Sequence, residues 1–278
     1  MKNFMNKIRH KSIIVLLSLL SAIFLLAATF TVSKYVIEKR AGTLTLNLTS
    51  IDVLLPGNDF RKAMDSRVTE IVFGLTKDYE DKVAGIEPKN VDAKNKGKIQ
   101  LYTKGTTAYI LSNRRIYANP DSGYLFYNLS ELTSIYFSNF DVGMVTNMKG
   151  MFFHCIKLAD VKNIVSWNTE SVTDMQYAFY GCSSLTTLDF SSWNTASVTD
   201  MTHMFYNCKE LVSIYAGSGW NTDNVTDSTV MFQSCTKLSG GAGTSYDSAH
   251  IDKTYARIDG GAENPGYFTS RITEIKPD

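Results

Sequence analysis

Trp167-Asn-Thr-Glu-Ser-Val-Thr-Asp-Met-Gln-Tyr-Ala-Phe-Tyr-Gly-Cys182 returns as Trp193-Asn-Thr-Ala-Ser-Val-Thr-Asp-Met-Thr-His-Met-Phe-Tyr-Asn-Cys208. The two blocks belong to a longer series. Cys155, Cys182, Cys208 and Cys235 are spaced by 27, 26 and 27 residues, and Leu129 fills the same slot 26 residues before the first. Phe140, Trp167, Trp193 and Trp220 each precede a Cys by 15 residues. Because that block never changes length, the one-residue variation lies between a Cys and the next aromatic, which marks a loop. A fixed period of this length is the mark of a repeat architecture.

Within each block, Met148, Met151, Phe152 and Cys155 place apolar residues at i, i+3, i+4 and i+7. That spacing predicts one stripe of a short helix. Met175, Ala178, Phe179 and Cys182 repeat it, as do Met201, Met204, Phe205 and Cys208. Thr-Asp pairs ahead of these stripes (Thr173-Asp174, Thr199-Asp200, Thr226-Asp227, with Thr146-Asn147) suit an N-cap and first turn. After the Cys slot the period changes. Leu188 and Phe190, Ile214 and Ala216, and Ile135 and Phe137 alternate inward as short strands do. One strand and one short helix per 26–27 residues read as an α/β leucine-rich-repeat solenoid, with a parallel sheet on one side and helices on the other. On this reading 1–40 is a leader, 41–110 a small β-rich cap, 111–239 the repeats, and 240–278 a C-terminal cap and tail. Thr43–Asn47, Val68–Phe73, Ile99–Tyr102 and Thr107–Leu111 are the expected strands of the first cap.

The chain has 278 residues, 44% hydrophobic and 20% charged, which is globular composition. Its net charge of +1 conceals a division. Residues 1–40 hold seven bases against Glu38, a net +6, so the remainder carries 21 basic and 26 acidic groups, a net −5. Ile13 to Val32 is a run of 20 residues without a charge. As a helix it would reach about 30 Å, the thickness of a bilayer core. Lys2, Lys7, Arg9 and Lys11 would hold the N-terminus in the cytoplasm, so everything after Val32 is expected outside, behind either a cleaved signal peptide or a signal anchor. No basic footprint of a nucleic-acid binder remains in the exported part.

The repeated polar residues offer chemistry that bland readings explain with less. Four Cys in register could pair or hold metal, but each ends an apolar stripe, no C-x-x-C spacing occurs, and Leu129 substitutes once. They read as small buried hydrophobes with free thiols. Asp174, Asp200 and Asp227 read as caps rather than calcium ligands or acid–base pairs, since Asn147 fills the slot uncharged. Asn168, Asn194 and Asn221 read as a polar ladder bonding the backbone of the next repeat, and the Trp series as packing. No catalytic, cofactor or metal site is expected. What remains is the outward row of the strands: Ser134 and Tyr136, Asp160 and Lys162, Thr187 and Asp189, Ser213 and Tyr215. Of these, Tyr136, Asp160, Lys162, Thr187, Asp189, Ser213 and Tyr215 are the candidate binding residues, because an exposed sheet face is the usual recognition surface of such repeats.

The block V-T-D-M-x-x-x-F-x-x-C-x-x-L, as in Val172–Leu185 and Val198–Leu211, resembles the repeats of the BspA-like leucine-rich-repeat surface proteins of bacteria. The lead-in Ala108–Ser112 through Ser122–Phe126 and the exit Tyr255–Gly261 through Asn264–Phe268 are similar too, so the resemblance spans about residues 100–270. Leu129 for Cys and Ser228 for Met depart from the pattern in the first and last units. The resemblance implies an exported, non-enzymatic protein acting in adhesion to a protein or glycan ligand on host matrix, host cells or other microbes. A self-associating structural protein of the cell envelope is the alternative.

Overall fold

The structure, a computed structural model, describes residues 36–40, 43–47 and 51–271. The apolar run Ile13–Val32 and the tail Glu274–Asp278 lie outside these residues. Among those described, no helix is long and apolar enough to cross a membrane. The chain divides into two units, Met1–Ile51 and Asp52–Asp278. In the first, β1 (Val36–Arg40) and β2 (Thr43–Asn47) pair as an antiparallel hairpin.

The second unit is built mainly of short strands and hydrogen-bonded turns. In chain order these strands are β3 (Asp52–Val53), β4 (Glu70–Leu75), β5 (Lys89–Asn90), β6 (Gln100–Lys104), β7 (Thr107–Ser112), β8 (Ile116–Tyr117) and β9 (Ser134–Phe137). They continue with β10 (Phe140–Asp141), β11 (Asp160–Lys162), β12 (Thr187–Phe190), β13 (Ser213–Ala216) and β14 (Phe268–Ser270). A six-stranded sheet runs β11-β9-β4-β7-β6-β5, parallel from β11 to β7 and antiparallel beyond. β12-β13-β14 and β10-β8-β3 form two parallel three-stranded sheets. The alternation read in the sequence is the one that packs: Ile135, Phe137, Leu188, Phe190, Ile214 and Ala216 are buried.

The expected leucine-rich-repeat solenoid with one helix per repeat is not what forms. Only two α-helices occur among the described residues, α1 (Gly57–Ala63) and α2 (Glu80–Val83), and both precede the repeats. The apolar stripes are buried as foreseen, but on chained turns. Met151, Phe153 and Cys155 each donate to the carbonyl three residues back, at 2.9–3.1 Å. Met148, Gly150, Phe152 and His154 donate instead to Asp174, Gln176, Ala178 and Tyr180 of the next repeat, at 2.7–2.9 Å. The physical cause is backbone handedness. The residues five and one before each Cys slot have positive φ, for example Gly150 and His154 at 59°, Tyr177 at 56° and Gly181 at 72°. A left-handed residue every fourth position ends each turn before a helix can propagate.

The polar ladders change meaning with the helices. Asp174, Asp200 and Asp227 accept from the N–H two residues on, in Gln176, Thr202 and Thr229, so they close local turns rather than cap helices. Asn168, Asn194 and Asn221 do the same for Glu170, Ala196 and Asp223. The neighbouring threonines add side-chain bonds between repeats. Thr169 Oγ1 donates to the Asn194 carbonyl at 2.9 Å, and Thr195 Oγ1 to that of Asn221 at 2.6 Å.

Inside, aromatic rings run in register. Phe126, Phe152, Phe179, Phe205 and Phe232 stack with successive centroids 5.3, 5.1, 5.8 and 5.5 Å apart. Trp167 and Trp193 are buried and stack at 6.0 Å. The four thiols are free and buried, each donating to a Phe carbonyl of the preceding repeat at 3.0–3.1 Å. Arg61 of α1 covers the first turn, donating to the carbonyls of Tyr127 and Asn128. Lys253 covers the last, donating to those of Thr222 and Val225.

Candidate functional site

The parallel register of β4, β9 and β11 sets residues side by side across the sheet. Val72, Tyr136 and Lys162 align, as do Glu70, Ser134 and Asp160. β7 extends the row by placing Tyr109 beside Val72. Because successive side chains on a strand alternate, this row faces away from the buried Ile71, Phe73 and Ile135. Tyr136 is 37% exposed, and Asp160 and Lys162 are exposed and ion-paired at 3.4 Å.

A fourth aromatic comes from outside the strands. After β4 the chain makes a 3-10 turn at Thr76–Asp78 and folds back, laying the Tyr79 ring over Gly74. A Cβ at Gly74 would sit 2.3 Å from that ring, so only glycine leaves room for it. Tyr79 packs against Tyr109 with centroids 5.8 Å apart. Burial raises the Tyr79 phenol above its ordinary range, as does the neighbouring Tyr136, while a hydrogen bond with the Ser138 hydroxyl opposes them. The phenol therefore stays protonated at neutral pH. Together Tyr79, Tyr109, Tyr136, Val72, Lys82 and Lys162 line a groove of about 310 Å³, with Glu70 at its margin. Rings, two ammonium groups and a carboxylate in one cleft can stack a planar surface and bond polar groups around it.

The seven candidate residues do not form one surface. Tyr136 and Lys162 line this groove, and Asp160 lies with Thr187 and Asp189 at a second cleft. Thr187, Asp189, Ser213 and Tyr215 lie on β12 and β13, outside the six-stranded sheet. There Arg271 ion-pairs with Asp189 and covers the Tyr215 ring at 4.9 Å, so both side chains are already engaged. The ladder breaks between β11 and β12 at a residue that the 26-residue units starting at Leu129 and Cys182 lack. Asn163, at φ 65°, bulges the chain and lets Ile164 take the buried slot. The second cleft, of about 500 Å³, opens there, between Asp160–Val165 and Thr186–Asp189.

Glu70, Val72, Tyr79, Lys82 and Tyr109 escaped the sequence reading because they precede the repeats. Tyr109 was accessible in principle, since it alternates with the buried Ala108 and Ile110 in a segment already read as a strand. Tyr79 was not, because its position depends on the fold-back over Gly74. Among the described residues no group of acidic, His and Cys side chains could hold a metal ion.

Residues 121–245 match a family model described as Mycoplasma protein of unknown function, DUF285. No curated protein and no solved structure matches the chain significantly.

Proposed function

We propose that this chain is an exported, surface-displayed binding module without catalytic activity, an adhesin whose sheet groove takes a protein or glycan ligand. The observation that carries the reading is the groove itself. Three tyrosines and Lys162 from separate segments converge on one exposed face over a rigid hydrogen-bonded sheet. Rigid aromatic side chains supply contact area at little entropic cost, which is why binding surfaces favour them. The basic leader and the apolar run Ile13–Val32 support export, as a cleaved signal or as a membrane anchor. The likeness of the repeat block to BspA-like surface repeats supports adhesion.

The test is to present the full-length chain, in a mild detergent, to immobilised extracellular-matrix proteins, epithelial cells and co-resident bacteria. Saturable binding to at least one is expected. Concentration-dependent self-association with no binding to any of them would replace adhesion by the envelope-structural reading.

A further inference from the structure

The turn segments carry two rows of side chains that the sheet groove does not use. Two residues before the first four slots stand Tyr127, Phe153, Tyr180 and Tyr206, with Gln233 before the last. Their rings follow one another with centroids 5.5, 4.6 and 4.8 Å apart. Five residues before the slot stand Tyr124, Gly150, Tyr177, His203 and Val230, every one with φ between 48° and 59°. That backbone favours glycine, and Gly150 shows that glycine fits. Tyr124, Tyr177 and His203 instead hold a ring on unfavourable backbone, so the turn does not explain the choice of residue.

From Tyr124 to Tyr180 the two rows meet close to right angles, while His203 meets Tyr180 and Tyr206 at 45° and 44°. Tyr124 and Tyr127 are 5.7 Å apart at 89°, Phe153 and Tyr177 6.0 Å at 71°, and Tyr177 and Tyr180 5.8 Å at 67°. The Tyr124 ring lies over Gly150, where a Cβ would stand 2.4 Å from it, and beside these rings opens a cleft of about 700 Å³. Its lining is aromatic but for Asn58, and it contains no carboxylate.

Aromatic walls at right angles attract a cation through their electron-rich faces, here with no carboxylate among them to pair with it. A quaternary ammonium fits that description, since it has no N–H to satisfy and is weakly hydrated. A primary ammonium is more strongly hydrated and loses more on leaving water, with only Asn58, His203 and phenol oxygens here to replace that hydration. One cation already stands against a ring of the cleft wall: Lys149 Nζ is 5.8 Å from the Tyr177 ring centroid. A ligand carrying a trimethylammonium and a nearby anion would use both features. We propose that this face binds a phosphocholine group. Its trimethylammonium sits among Tyr124, Tyr127 and Tyr177, and Lys149 leaves the Tyr177 face to pair with the phosphate.

Isothermal titration of the full-length chain in maltoside detergent, with phosphocholine, choline, phosphoethanolamine and inorganic phosphate, tests this. Saturable binding of phosphocholine is expected, with phosphoethanolamine at least tenfold weaker. Tyr177→Gly should lower phosphocholine affinity tenfold or more without moving the melting temperature downward, because glycine suits φ 56°. Phe153→Leu keeps an apolar side chain while removing the ring, and should weaken binding as well. Lys149→Ala should weaken phosphocholine but not choline. To separate sources, wild type and Tyr177→Gly are compared on phosphatidylcholine vesicles, on phosphatidylglycerol vesicles and on a phosphocholine–albumin conjugate. A Tyr177-dependent signal on the first assigns a lipid headgroup, and on the last a decorated polymer. The proposal is overturned by no binding of phosphocholine, by equal affinity for phosphoethanolamine, or by wild-type affinity in both ring variants.

Discussion

Cys155, Cys182, Cys208 and Cys235 show how a single residue type is tied to one slot. Each side chain is small enough for the buried end of a turn and still donates to a carbonyl of the repeat before it. Burial raises all four thiols, and Cys155 and Cys235 reach about 12. Native protein at pH 8 should therefore leave a thiol reagent unconsumed, and the unfolded chain should react at four sites; rapid labelling of the native state would contradict the burial. The same shift sets a pH dependence. Below pH 9 these thiols are protonated in both states and their contribution is complete. As pH rises from 9 towards 12 the unfolded chain releases its protons first, so Cys155 and Cys235 each cost ~1.4 kcal/mol of stability per pH unit. Cys235→Ala should flatten the fall in melting temperature between pH 9 and 11, and an unchanged slope would show that the thiol keeps its ordinary pKa when folded. Phe179, at the centre of the stacked Phe row, should cost about 3–5 kcal/mol when replaced by alanine, read from chemical or thermal melts.

At the scale of elements, the strands were legible and the helices were not. Period-two alternation survives because a strand's two faces meet different surroundings whatever lies beside it. The i, i+3, i+4, i+7 stripe is less specific, since chained turns with a left-handed residue every fourth position present the same side chains to the core. A signal against helix was in the text: Asn128, Gly150, Gly181 and Asn207 fall inside or at the end of the stripes, where helices are weakened. Tyr177 and His203 hid it, being aromatic residues on backbone that usually belongs to glycine or asparagine. The sheet offers its own test. Removing Asn163 would restore the 26-residue spacing and place Ile164 in the slot that Phe190 and Phe137 fill. β11 should then pair with β12, raising the hydrogen-exchange protection of Thr187–Phe190 amides at least tenfold. Unchanged protection would mean that the bulge is not what parts the strands.

For the whole molecule, the +1 net charge is the sum of a basic leader and an acidic remainder, which the export reading assigns to different sides of a membrane. Half of the candidate groove was within reach of the sequence, through Tyr136 and Lys162 on the repeats. The other half comes from 70–109, where no repeat guides the eye and a parallel pairing of β4 with β9 does the assembly. That pairing joins residues 64 positions apart, a separation that local pattern cannot register. The claim that this shared face is the binding surface is tested most directly by replacing Tyr79, Tyr136 and Lys162 together with serine. Affinity of the full-length chain for the strongest partner among matrix proteins, epithelial cells and bacteria should fall at least tenfold, with the Lys149 and Tyr177 cleft untouched as an internal control. Wild-type affinity in the folded triple variant would contradict the account and move the binding surface elsewhere.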